Sequence, residues 1–169
     1  MKIKLFFFSL FWLIISSCQK EVFNTKNPNV DEFISLLKQG KYLNEVGYEL
    51  PDFTFRHIDR LLYYLKDTAI LSMFPTHPMS SKYTNPKILS ECLMWTIDGI
   101  RLGNKYPSLE PCLINTATYS ELKGYPRLSG KELLEISDRY INWYVEYKKN
   151  PSEVLKTKNL LENTSYKWN

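Results

Sequence analysis

A mainly α-helical fold, built as a compact single-domain bundle of four to five helices with long ordered loops, is what this sequence predicts. Three observations carry that expectation. Apolar residues recur at three- and four-residue steps over 30–39, 87–103 and 130–148. Helix-opening residues stand where such runs begin, at Asn29, Thr54 and Ser129. Convincing strand alternation is scarce.

Taken in order, Asn29 caps a helix whose Val30, Phe33, Ile34 and Leu37 share one face and whose stop is Gly40. Residues 41–51 keep no period and read as a loop. A second helix starts at Thr54, with Phe53 and Ile58 as a hydrophobic staple and Ile58, Leu61, Leu62 and Leu65 on its buried side. LSMFPTHPMSSKYTNP, rich in Pro, Ser and Thr, reads as an ordered loop or a very short helical turn. Asn85 and Pro86 open a third helix, in which apolar residues cover two adjoining faces, as a central helix requires. The next stretch is irregular, with LEPCLI a short strand or turn and TYSELKG a short helix. Ser129 and Glu132 form a capping box for the fourth long helix, which places Leu133, Ile136, Tyr140, Trp143 or Tyr144, and Tyr147 inward. A last short helix follows Asn150 and Pro151, and Tyr166 and Trp168 of the tail pack back on the domain.

Apolar residues make up 44% of the chain and charged ones 24%, which argues against disorder and against a multi-span membrane protein. Setting aside Lys2 and Lys4 takes the formal charge from +4 to +2, with both signs interleaved, so no nucleic-acid partner is expected. Aromatic residues are abundant at 15%. They fill a core, or they offer a stacking surface for sugars or a protein.

The N-terminal segment decides the compartment. Lys2 and Lys4 precede an apolar run from Leu5 to Ile15, about 16 Å long as a helix, against a hydrocarbon core of roughly 30 Å. Charge, short apolar core and small residues are the parts of a secretory signal. Ile15, Ser16, Ser17 and Cys18 resemble the lipobox of bacterial lipoproteins, which implies removal of residues 1–17 and acylation of Cys18. Two or three acyl chains, at about 0.8 kcal/mol per buried methylene, hold a domain on a membrane. Residues 18–29 then form a flexible tether and 30–169 the helical domain. Gln19 is not the aspartate of an inner-membrane retention signal, so the expected location is the outer membrane, facing the periplasm or the cell surface.

Candidate chemistry is sparse. His57 stands where a capping box uses Glu, and a capping role fits it best. His77 lies near Ser80 and Ser81, but no glycine-flanked serine forms a nucleophile elbow. Cys92 and Cys112 either pair in an oxidising compartment or stay as two core thiols. No metal-ligand spacing and no phosphate-cradling glycine loop is present, so neither metal nor cofactor is expected. Asp98 and Arg101, three apart, read as an exposed ion pair. The sharper alternative makes Phe74, Pro75, His77, Pro78, Trp95 and Arg101 an interaction patch, with Arg101 and Trp95 as floor and wall of a cleft.

FPTHPMSS, LMWTIDGIR and the ending LENTSYKWN resemble segments of a family of small lipoproteins from gut-type bacteria (Bacteroidetes) that is classed only as a domain of unknown function. The resemblance implies lipid anchoring and a largely helical domain, and no activity. The functional expectation is therefore a membrane-anchored, non-catalytic module that binds an envelope protein, with glycan binding as the alternative and hydrolysis a weaker third.

Overall fold

The structure is a computed structural model, and it describes residues 22–80, 87–119 and 127–169. Among these, the elements are α1 (Val30–Lys38), α2 (Tyr42–Glu45), a 3-10 turn (Phe55–His57) running into α3 (Ile58–Tyr63), β1 (Ile70–Leu71), β2 (Lys87–Ile88), α4 (Leu89–Leu102), β3 (Leu113–Asn115), α5 (Gly130–Lys149), α6 (Glu153–Thr157) and β4 (Tyr166–Trp168). The protein is mainly α, with two short antiparallel strand pairs, β1–β2 and β3–β4.

Local chemistry sets the helix ends as expected. Asn29 Oδ1 accepts the backbone N–H groups of Asp31 and Glu32, two of the donors that the first turn of α1 leaves without intrahelical partners. Ser129 and Glu132 close a reciprocal capping box on α5, the Ser129 N–H donating to Glu132 Oε2 at 2.7 Å. In the Thr54 turn, the Thr54 N–H donates to His57 Nδ1 at 2.8 Å, so the imidazole does the work of the usual carboxylate. Burial, then the neighbouring Arg56 charge, lowers the His57 pKa and keeps the ring a neutral acceptor.

Helix α4 is the axis of the domain. Leu89, Cys92, Leu93, Met94, Trp95 and Ile97 are all fully buried, because α3, α5, α6 and β2 pack around it. It begins later than its sequence pattern suggests, since Lys87 and Ile88 pair with Leu71 and Ile70 as a strand. The proposed cap, Asn85 and Pro86, lies outside the described residues, as do Ser81, most of TYSELKG, and the segment 1–21 with Cys18. Gly103, at φ +68°, ends α4 in the left-handed conformation that glycine adopts without penalty. At Gly99 a Cβ would sit 2.6 Å from the Asn104 carbonyl oxygen, so the chain after α4 can fold back on the helix only over a glycine.

Two expected loops are more ordered than their sequences suggest. The segment 41–51 contains α2, whose Tyr42 is buried against Phe23 and Phe33 and donates its hydroxyl to the Glu49 carbonyl. Part of the segment expected as a tether also packs on the domain. Phe23 and Pro28 are buried, and Asn24 Oδ1 caps the turn by accepting from Lys26 and Asn27 N–H groups, so packing starts at Phe23. The tail forms β4 on β3, with Leu113 opposite Trp168 and Asn115 opposite Tyr166.

No described helix is long and apolar enough to cross a membrane.

Candidate functional site

The six residues of the expected patch divide. Phe74 and Trp95 meet in the core, ring centroids 6.2 Å apart, at 1% and 0% exposure. Pro75 is buried beside them, while His77 is half-buried and Pro78 exposed. The cleft with a Trp95 wall and an Arg101 floor is thus corrected: Trp95 supports a surface from below, and Arg101 points into the opposite part of the core.

The surface above Trp95 is made by two proline-framed loops, 74–79 and 104–111. The Trp95 indole N–H donates to Ser108 Oγ at 2.7 Å, and Ser108 Oγ donates to the Glu110 carbonyl. The His77 N–H donates to the Leu109 carbonyl, which joins the loops, and the His77 ring sits edge-on to Tyr106 at 5.2 Å. His77 Nδ1 accepts the Met79 N–H, so that nitrogen holds a local turn. On this braced base Met79 stands 78% exposed and Leu109 55% exposed. Prolines at 75, 78, 107 and 111 limit how far either loop can relax.

The same 104–111 loop contributes its first residues to a cleft of about 270 Å³ between the 50–54 segment and the end of α4. Pro51, Phe53 and Ile100 supply apolar wall. At its rim Lys105 Nζ donates to Glu49 Oε1 (2.8 Å) and Asp52 Oδ1 (2.7 Å), and Lys26 donates to Asp52 Oδ2. The hydrogen bonds from Lys105, then Lys26, hold the Asp52 carboxyl below its ordinary range.

Arg101 belongs to a buried network, and the expected exposed ion pair is corrected by it. Arg101 Nε donates to Asp98 Oδ1 at 2.6 Å with both side chains about 5% exposed or less. Asp98 Oδ2 accepts the Tyr140 hydroxyl at 2.8 Å and the Trp168 indole N–H at 2.7 Å. Arg101 NH1 donates to the Lys156 and Lys158 carbonyls. Burial, then the Asp98 charge, pushes the Tyr140 pKa well up. Three segments, α4, α5 and β4, meet at one carboxylate, and Arg101 ties in the α6 region. No local pattern marks this, apart from an ionic pair placed on a helix with apolar residues over two adjoining faces.

At the opposite end of α4, Lys87 Nζ lies 2.7 Å from Glu110 Oε2, and Glu91 Oε1 accepts the Leu113 N–H at 2.6 Å. Burial raises the Glu91 pKa to about 7 against the opposing Leu113 hydrogen bond and the Lys87 charge. Cys92 is buried and Cys112 half-buried, and both are free thiols. Burial lifts Cys112 to about 11. No group of three potential metal ligands occurs among the described residues. Trp143 is 3% exposed, while Trp168 is half-buried with its indole N–H engaged by Asp98.

Fold and site together define a small, mainly α-helical domain with a braced loop surface and a buried ionic lock. Residues 24–169 match the model of the family described as Domain of unknown function (DUF4943), and the chain belongs to that family. No curated protein and no solved structure matches it.

Proposed function

We infer that this is a lipid-anchored, non-catalytic interaction module of the cell envelope, held in the outer membrane through Cys18 and binding an envelope protein through the Met79–Leu109 surface. The observation that carries the docking part is the pairing of exposed apolar side chains with a rigid base: Met79 and Leu109 stand on loops joined by the His77–Leu109 hydrogen bond and supported by Trp95. A preformed apolar surface binds without first losing the entropy of ordering a loop. Exposed apolar surface grouped in one region, rather than scattered singly, marks an interaction site, and Met79 and Leu109 project from two loops joined by a backbone hydrogen bond. The anchoring part is supported by the Ile15-Ser16-Ser17-Cys18 sequence after a short apolar run.

Acylation is tested by intact mass and fractionation of the protein expressed in a lipoprotein-processing host. The expected product begins at Cys18, carries acyl chains and sediments with membranes, and Cys18→Ala releases it. A wild-type product without acyl chains would contradict the anchor.

A further inference from the structure

We propose that a groove between α5 and the segment leading into β4 is a binding site for a neutral saccharide. This groove, of about 340 Å³, is separate from the loop surface above Trp95 and does not depend on that surface binding a protein. Leu160, with the edge of the buried Trp143, gives it an apolar floor. Its walls are polar: Arg139 and Asn142 from α5, and Asn159 and Asn163 from the opposing turn.

Unspent hydrogen-bonding capacity sets the wall apart. Arg56, Arg60 and Arg101 each donate to a side chain of another residue, whereas Arg139, half-buried, makes no hydrogen bond or ion pair among the described residues. The side-chain amides of Asn142 and Asn163 likewise hold no hydrogen bond there, and Asn159 uses only its Oδ1, which accepts the Leu161 N–H. Asn163 adopts φ +59°, a conformation rare outside glycine that asparagine tolerates, and it places an amide at the groove rim.

Charge decides the ligand class. Arg139 and Lys158 are balanced by Glu146 and Glu162 in the same lining, so neither a strongly anionic nor a strongly cationic ligand is favoured. What remains is a neutral molecule dense in hydroxyls. A guanidinium and amides present paired donors and acceptors suited to vicinal hydroxyls, while the C–H face of a sugar ring lies on Leu160. Few groups of this kind, placed on a concave apolar floor, give orientation and specificity.

The experiment is saturation-transfer NMR on the full domain with glucose, galactose, N-acetylglucosamine, their short oligomers, and galacturonic acid as the charged control. The Trp143 indole N–H resonance is the site reporter. Binding of at least one neutral sugar is expected, weakened tenfold or more by Arg139→Ala and by Asn163→Gly. The glycine variant keeps the left-handed backbone while removing the amide, and unchanged thermal midpoints separate lost contacts from lost folding. The proposal is overturned by no binding of any neutral sugar, by binding of galacturonic acid alone, or by affinity that both variants leave unchanged.

Discussion

The two ends of α4 treat charge in opposite ways. At the C-terminal end, Asp98 has three donors from three segments, and Arg101 Nη1 donates to two carbonyls of the α6 region. At the N-terminal end, Glu91 accepts one backbone N–H and faces Lys87 and Arg127, with Glu110 opposing, and its carboxyl is left near the neutral range. The difference teaches what burial of charge demands. A buried carboxylate on which several donors converge has its oxygens satisfied; with a single backbone donor, burial favours the protonated form, as at Glu91. The first arrangement locks helices and tail together, and the second leaves a titrating group.

Removing one partner from the lock is the harshest way to break this contrast. Arg101→Met strands Asp98, and equilibrium denaturation should show a loss of about 3–5 kcal/mol. A loss under about 1 kcal/mol would mean that Asp98 is not sealed. Trp168→Phe keeps an aromatic ring while deleting the indole N–H and its charged hydrogen bond, for an expected loss of about 1.5–3 kcal/mol and an intact β3–β4 pair.

Glu91 sharpens the other side. Its folded pKa of about 7 lies above the ordinary 4.5, so the folded state holds the proton more tightly. Stability from this group is full below pH 4.5 and is lost as pH rises to about 7, where the loss levels off. The loss should be about 1–2 kcal/mol, below the full linkage value because the side chain keeps some solvent contact. Glu91→Gln retains the acceptor for the Leu113 N–H and should abolish that slope in denaturation midpoints recorded against pH. The smallest effect falls beside Glu91, in the first turn of α4. Ser90 Oγ is buried without a hydrogen-bond partner among the described residues, so Ser90→Ala should cost nothing and stabilise by up to about 1 kcal/mol.

What the sequence made legible follows the range of the interactions. Asn29, the Ser129–Glu132 box and the His57 cap are settled within a few residues, and each was readable as a pattern. The breadth of apolar surface on α4 likewise announced a central helix. Burial of Asp98 and Arg101 was not readable, because Tyr140 and Trp168 arrive from 42 and 70 residues away. Patterning saw two charges spaced for an exposed pair and had no access to the tail that covers them. The candidate patch was half legible for a similar reason. Proline-rich loops marked the place, but whether Trp95 faces out or props the loops from below depends on Ser108, thirteen residues on. Of the paired strands, Leu113–Asn115 was half legible in LEPCLI, readable as a short strand or turn, whereas Tyr166–Trp168 is a strand only by pairing with it.

The most direct test of the interaction role is site-specific photocross-linking in intact cells, with the photoreactive residue replacing Met79 in one strain and Val154, equally exposed at 80%, in another. A discrete adduct with one envelope protein is expected from position 79 and none from position 154, and Leu109→Asp should erase it without changing thermal stability. Equal labelling from both positions, or no adduct from position 79 with the protein in the membrane fraction, would contradict the account.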